Sequence, residues 1–125
     1  MDQHRAPLFE ALLRYRDRFT GLFHVPGHKQ GIYFDQRAKK WFHPLLALDL
    51  TEVGELDDLH HPTGVIEEAL RLAAEAFGAK ETWFLVGGST VGNLALITTV
   101  CSPGEEIIIQ RNSHKSLFNG CLLAG

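Results

Sequence analysis

Two short runs rich in aromatic and β-branched residues lie in the second half of the chain, and a helical pattern follows each run. The runs are residues 82–86 (Thr-Trp-Phe-Leu-Val) and residues 105–110, which contain three successive isoleucines. Runs of this length and composition are typical of buried strands. Helices are predicted over residues 90–100 and from a cap at Asn112 or Ser113 to Leu123. This order predicts an α/β fold in which helices flank a mainly parallel sheet.

The first half of the chain shows helical patterns and long irregular stretches. Apolar residues recur at helical spacing over residues 5–19, with Pro7 in the first turn. A second helix is predicted over residues 35–42, with Trp41 and Phe42 buried and Pro44 ending it.

Residues 43–61 mix leucines with acidic residues and are predicted to form an extended loop with local turns. A third helical pattern runs from residue 65 to residue 77, and Gly78 is suited to the left-handed position that ends a helix.

We therefore divide the chain into an N-terminal helix and loop segment, residues 1–61, and the start of a larger domain, residues 62–125. Two apolar strands cannot cover both faces of a parallel sheet by themselves, so we expect this domain to be incomplete here. A complete small α+β domain is the alternative.

Composition excludes several classes of protein. The chain carries 15 acidic and 12 basic residues, giving a formal net charge of −3, which argues against nucleic-acid binding through bulk charge. Its two cysteines, Cys101 and Cys121, are too few for a disulfide framework. No apolar run approaches the roughly 20 residues that cross a membrane. We therefore expect a globular cytoplasmic protein with no membrane partner.

A glycine-rich turn precedes the helical pattern of residues 90–100. Its sequence is Gly87-Gly88-Ser89-Thr90, after the first strand-like run. Glycines let the backbone approach a ligand closely, and a helix start offers unpaired amides and a partial positive charge to a phosphate. The run matches neither the P-loop nor the dinucleotide-binding pattern. A turn with a Ser or Thr helix cap, binding no ligand, remains the alternative.

A polar segment, residues 111–116 (Arg-Asn-Ser-His-Lys-Ser), follows the second strand-like run. Ligands of open parallel sheets bind beyond the carboxyl ends of the strands, so we expect it to lie near the glycine-rich turn. The His114 ring could stack on an aromatic ligand, and Lys115 could contact a phosphate or act as an amine nucleophile. The alternative is a helix cap with solvated polar residues, and for Lys115 we favour it.

Seven histidines raise the question of a metal site. His24 and His28 are four residues apart, but Pro26 and Gly27 between them are incompatible with the helical geometry that usually pairs such ligands. We therefore expect no metal site. We expect these histidines to be loop residues that bind backbone groups or line a cleft. The individual roles of His24, His28, His60 and His61 stay open.

Five motifs in one order resemble the Orn/Lys/Arg decarboxylase family, the basic amino-acid decarboxylases that use pyridoxal 5′-phosphate on the aspartate-aminotransferase fold. They are residues 24–29 (His-Val-Pro-Gly-His-Lys), 56–64 (Leu-Asp-Asp-Leu-His-His-Pro-Thr-Gly), 74–79 (Ala-Glu-Ala-Phe-Gly-Ala), 87–93 (Gly-Gly-Ser-Thr-Val-Gly-Asn) and 111–116. The resemblance covers nearly the whole chain and implies the N-terminal part of the family's major domain, a portion of a fold-type-I enzyme.

The resemblance implies a chemistry and a set of site residues. Gly88, Ser89 and Thr90 match the loop that holds the cofactor phosphate, and His114 matches the histidine that stacks on the pyridine ring. The lysine that forms an imine with the cofactor belongs to a later Ser-x-His-Lys segment of the family, so Lys115 is not that lysine. The chain as given therefore holds no catalytic residue and is expected to be inactive by itself.

The resemblance also implies a substrate and an assembly. Family members decarboxylate arginine, lysine or ornithine in polyamine biosynthesis, and they form homodimers or larger assemblies. An aminotransferase or lyase relative of the same fold is one alternative, and a non-catalytic truncated product is another.

Overall fold

The computed structural model describes residues 2–18 and 21–125. In these residues the secondary structure consists of helices, and the chain forms two compact units, residues 1–83 and residues 84–125. The predicted domain division between residues 61 and 62 stays a prediction. The helices are α1 (Pro7–Asp17), α2 (Gln36–Leu46), a 3-10 turn (Gly54–Leu56), α3 (Val65–Phe77), α4 (Gly88–Val100) and α5 (Lys115–Ala124). Among these helices, none combines the length and apolar character that crossing a membrane requires.

The predicted α/β fold with a mainly parallel sheet is wrong for the described residues, which contain no strand. Residues 82–86 and 105–110 have the composition of strands, but their backbones do not pair with a neighbouring strand. Trp83 is 69% exposed and Ile108 is fully exposed. A strand exists only where its N–H and C=O groups bond to an adjacent strand, so favourable composition alone does not form one.

The first unit has a small core between α1, α3 and the 3-10 turn. Ala11 and Tyr15 lie four residues apart on one face of α1, and both are buried against Leu56. Pro7 occupies the start of α1, as predicted. The predicted helix extended to Phe19, which lies outside the described residues, whereas α1 ends at Asp17.

Helix α2 begins where expected, because the Asp35 side chain accepts a hydrogen bond of 2.9 Å from the Arg37 N–H. Its predicted end is wrong, since the helix continues through Pro44 to Leu46. Proline lacks one N–H donor, and in the last turn this removes a single helical bond. The predicted burial of Trp41 and Phe42 is also wrong: they are 80% and 50% exposed. No other helix of the described chain packs against α2.

The predicted loop over residues 43–61 is partly correct. Its first residues belong to α2, and the 3-10 turn interrupts it. Helix α3 has the predicted bounds, and its C-terminal cap is Gly78 at φ +62°. The Gly78 and Ala79 amides close the helix by donating to the carbonyls of its last turn, at 3.2 Å for Gly78 to Glu75 and 2.8 Å for Ala79 to Ala74.

In the second unit, α4 and α5 run parallel to each other. Asn93 of α4 contacts Ser116 of α5 through a hydrogen bond, and four residues further along each helix a Cβ at Gly120 would meet the Ile97 side chain at 2.7 Å. Both contacts advance in the same direction, so the two helices point the same way. At the opposite end, the Gly104 amide donates to the carbonyl of Gly125. The N-termini of α4 and α5 therefore lie at one end of the helix pair.

Candidate functional site

The glycine-rich turn forms an open start to α4. The helix begins at Gly88, with φ +67°, and Gly87 precedes it as the N-cap. A Cβ on Gly87 would lie 2.3 Å from Val91 Cγ2, so close packing requires glycine there, whereas a Cβ on Gly88 would meet open space. Ser89 and Thr90 are exposed. In the described chain, no side chain caps the amides of this first turn, so they remain available to an outside acceptor.

His114 is the N-cap of α5, where Asn112 or Ser113 was predicted. Its Nδ1 atom lies 2.8 Å from Ser116 Oγ, and it accepts a hydrogen bond of 3.2 Å from the Ser116 backbone N–H. The Ser116 hydroxyl also accepts a hydrogen bond of 2.8 Å from Asn93 Nδ2 of α4. This network joins the start of α5 to the second turn of α4.

The structure places the predicted site residues at one end of the second unit. Gly88, Ser89 and Thr90 form the first turn of α4, and His114 caps the parallel helix beside it. The predicted proximity of the two segments follows here from the parallel helices, because the sheet that motivated it is not formed. Lys115 is exposed and begins α5. That these residues bind a cofactor stays a prediction.

His24 and His28 belong to the first unit, where internal hydrogen bonds occupy both ring nitrogens of each. The Nδ1–H group of His24 donates to the Val25 carbonyl at 2.7 Å, so its Nε2 accepts from the Tyr15 hydroxyl at 2.9 Å. The Lys29 ammonium donates to the His24 carbonyl oxygen. These contacts hold the loop after α1 in place.

His28 has the opposite arrangement of donor and acceptor. Its Nδ1 accepts from the Gly31 N–H at 3.1 Å, so its Nε2–H donates to Asp49 at 3.0 Å. His60 and His61 have exposed side chains, and their amides donate to the Asp58 carboxylate. In residues 2–18 and 21–125, no group of three or more potential ligands is arranged to hold a metal ion.

Asp57 has a structural role at the start of α3 that no motif of the sequence specifies. Its carboxylate accepts five backbone hydrogen bonds of 2.8–3.3 Å, and those from Gly64, Ile66 and Glu67 come from the start of α3. The five donors are Asp58, Thr63, Gly64, Ile66 and Glu67.

The environment of Asp57 favours its ionised form. Burial raises the pKa of this carboxyl, but the backbone donors outweigh that effect and lower the pKa to about 2. Asp57 also has φ +69°, a conformation unfavourable for a residue with a side chain. No standard capping spacing links Asp57 to a helix that begins eight positions later, at Val65, so the sequence carries no signal for this role.

Comparison with known proteins identifies relatives of this chain. The chain is 53% identical over 119 residues to the uncharacterized protein YaaO of Bacillus subtilis, covering 95% of this chain and 25% of that protein. It is 42% identical over 126 residues to an arginine decarboxylase of Bacillus cereus, covering 100% of this chain and 27% of that protein. It is 30% identical over 128 residues to the inducible ornithine decarboxylase of Escherichia coli, covering 97% of this chain and 18% of that protein.

The chain thus spans about a quarter of the length of the first two relatives. No solved structure gave a significant match to it. The family model described as "Orn/Lys/Arg decarboxylase, major domain" matches residues 6–125, which include the glycine-rich turn, His114 and Asp57. This match extends over nearly the whole sequence, and the chain belongs to the Orn/Lys/Arg decarboxylase family.

Proposed function

We propose that this chain supplies the phosphate-binding end of a pyridoxal 5′-phosphate-dependent decarboxylase. The observation that carries the proposal is the uncapped start of α4, with His114 at the same end of the helix pair, in a member of a decarboxylase family. Open amides at a helix N-terminus favour an anionic group. The donor set therefore fits the phosphate of the proposed cofactor.

Each residue of this end has a separate role. The amides of Gly88, Ser89 and Thr90, together with the two hydroxyls, would hold the phosphate through charge-assisted hydrogen bonds. Gly88 leaves space for a ligand, since a Cβ there would meet nothing within 4 Å. The flat His114 ring would pack against the cofactor ring. When bound, the cofactor supplies an electron sink for the electron pair left as carbon dioxide departs.

The relatives' names support a basic amino acid as the substrate: arginine or ornithine, with lysine included in the family's description. We propose that the whole protein acts on one of these amino acids in polyamine biosynthesis, in the cytoplasm, as a homodimer or larger assembly.

A chimera tests the proposal. Residues 1–125 would replace the aligned part of the Bacillus cereus arginine decarboxylase, with which they align over their full length. The chimera should bind pyridoxal 5′-phosphate and release carbon dioxide from labelled arginine. Ser89→Ala should weaken cofactor binding about 10-fold, the effect of losing one hydrogen bond to a charged group. Ser102→Ala is the matched control at the far end of α4, and it should leave binding unchanged. A folded chimera that binds no cofactor would contradict the proposal.

We propose in addition that the 125 residues alone do not decarboxylate. Lys115 is exposed at the start of α5, and the family resemblance assigns the covalent lysine to a different segment. Purified residues 1–125 with added cofactor should release no carbon dioxide from labelled arginine, lysine or ornithine. Turnover that Lys115→Ala abolishes would identify Lys115 as the reactive amine and refute this assignment.

A further inference from the structure

A buried serine connects His114 to the neighbouring helix. Ser116 is only 2% exposed and is one of the two largest fully buried side chains of the described residues. Its hydroxyl contacts Asn93 Nδ2 and His114 Nδ1, each at 2.8 Å. A buried hydroxyl must satisfy its hydrogen bonds inside the protein, so the direction of each bond has a structural consequence.

The Ser116 backbone amide sets that direction. A backbone N–H can only donate, and here it points to His114 Nδ1 at 3.2 Å. Nδ1 must therefore accept, which means that it carries no proton. The Ser116 hydroxyl then donates its own proton to Nδ1, and its oxygen remains free to accept from the Asn93 amide nitrogen. All three bonds run toward the imidazole.

We infer that Asn93 and Ser116 are positioning residues that hold His114 as the neutral tautomer protonated at Nε2. With Nδ1 engaged, Nε2–H is the ring's remaining polar group, and it has no hydrogen-bond partner among the described residues. Two contacts on one ring nitrogen also restrain the ring's rotation. The inference deepens the proposed function, on which it rests for the idea that this ring faces a cofactor. The hydrogen-bond direction itself does not depend on that idea.

The tautomer can be measured without any cofactor. In the full chain labelled with ¹⁵N on histidine, the imidazole nitrogen shifts distinguish a protonated nitrogen from an unprotonated one. At about pH 8, where an ordinary imidazole is neutral, His114 should show an unprotonated Nδ1 and a protonated Nε2. A predominant Nδ1–H form would overturn the inference, because the Ser116 amide could not then donate to Nδ1.

Two variants test the residues that set the tautomer. Asn93→Asp keeps the shape of the side chain but replaces the amide donor with an acceptor, so the Ser116 hydroxyl should turn toward residue 93. Ser116→Ala removes the hydroxyl. Each variant leaves Nδ1 with the Ser116 backbone amide as its one donor and without the hydroxyl. The Nδ1–H form should stay in the minority, but its fraction should rise at least twofold. Asn119→Asp, the same change on an exposed position of α5, should leave that fraction unchanged.

The outcomes separate this inference from the proposed function. If Ser116→Ala fails to fold, Asn93→Asp still decides, because Asn93 is only partly buried. Unchanged tautomer fractions in Asn93→Asp would refute the positioning role, whatever the cofactor result. A wild-type Nε2–H tautomer that responds to Asn93→Asp, in a chimera that binds no cofactor, would uphold the network and refute only the function proposed above.

Discussion

Helices α3 and α4 are equally long, yet they differ in how the backbone amides at their N-termini are capped. The start of α3 is filled by the Asp57 carboxylate, which accepts hydrogen bonds from three amides at that end, those of Gly64, Ile66 and Glu67. The start of α4 has no capping side chain among the described residues. Both helix ends present the same donors and the same partial positive charge.

The difference indicates which helix start can serve an outside anion. At α3 the anion is part of the chain, and its bonds hold Asp57 in a backbone conformation that a non-glycine residue rarely adopts. At α4 the residue with a positive φ is Gly88, which adopts this conformation without strain, and the space beside it is open. The amides at the α3 start are thus bonded to a carboxylate of the chain itself. Those at the α4 start have no side-chain acceptor among the described residues, which is why we propose α4 as the site for an outside anion.

The largest expected effect comes from making the α4 start resemble the α3 start. Ser89→Asp would place a carboxylate on the first turn of α4, where it would repel the phosphate of the proposed cofactor. We expect binding of pyridoxal 5′-phosphate by the chimera to weaken by at least about 100-fold, or roughly 2.7 kcal/mol, in a calorimetric titration.

The same substitution should not harm the helix itself. An acidic residue near a helix start is stabilising by about 0.3–1 kcal/mol, so urea unfolding of the variant should show equal or higher stability. Thr99→Asp, an exposed position near the other end of α4, adds the same charge away from the site and should leave binding within about twofold. Equal losses from both variants would show that α4's start is not the phosphate site.

The next largest effect is expected on stability, when the carboxylate at the start of α3 is removed. Asp57→Ala removes an acceptor from five amides while keeping a side chain at φ +69°. We expect the free energy of unfolding to fall by about 2 kcal/mol, as for lost bonds to a charged group. Urea denaturation of the full chain measures it.

The neighbouring Asp58 provides the comparison. Asp58 accepts only two amides and is exposed, so Asp58→Ala should lower the free energy of unfolding by less than about 1 kcal/mol. If the two alanine variants were equally stable, the α3 start would not depend on its internal carboxylate, and the contrast with α4 would fail.

Sequence reasoning was successful where local chemistry decides the structure. The bounds of α3 follow from a repeating apolar face and from Gly78, and the Asp35 cap of α2 follows from one residue and the helix start beside it. The Gly87-Gly88 turn into α4 is local as well, since only glycine fits the packing against Val91.

Sequence reasoning failed where the structure depends on distant groups. The runs around Trp83 and Ile108 have the composition of strands, but strand formation needs a pairing partner, which composition does not specify. Asp57 lies too far along the chain from α3 for a capping pattern to reveal it. The Asn93–Ser116 bond joins residues 23 positions apart, and it became visible only with the parallel packing of α4 and α5.

The smallest expected effect is the pH dependence of the stability that the Asp57 carboxylate gives to the start of α3. The pKa of Asp57 in the folded chain, about 2, lies below the ordinary value of 3.8. A lowered folded-state pKa means that the stabilisation is complete above the ordinary pKa and is lost as the pH falls toward the folded value.

Asp57→Asn keeps one acceptor oxygen but cannot ionise, so it should be less stable than the wild type by about 1 kcal/mol near pH 6. That difference should shrink as the pH falls from about 4 to about 2. Urea midpoints of the two proteins measure it, and a difference that stays constant down to about pH 2 would mean that shape, and not charge, holds the start of α3.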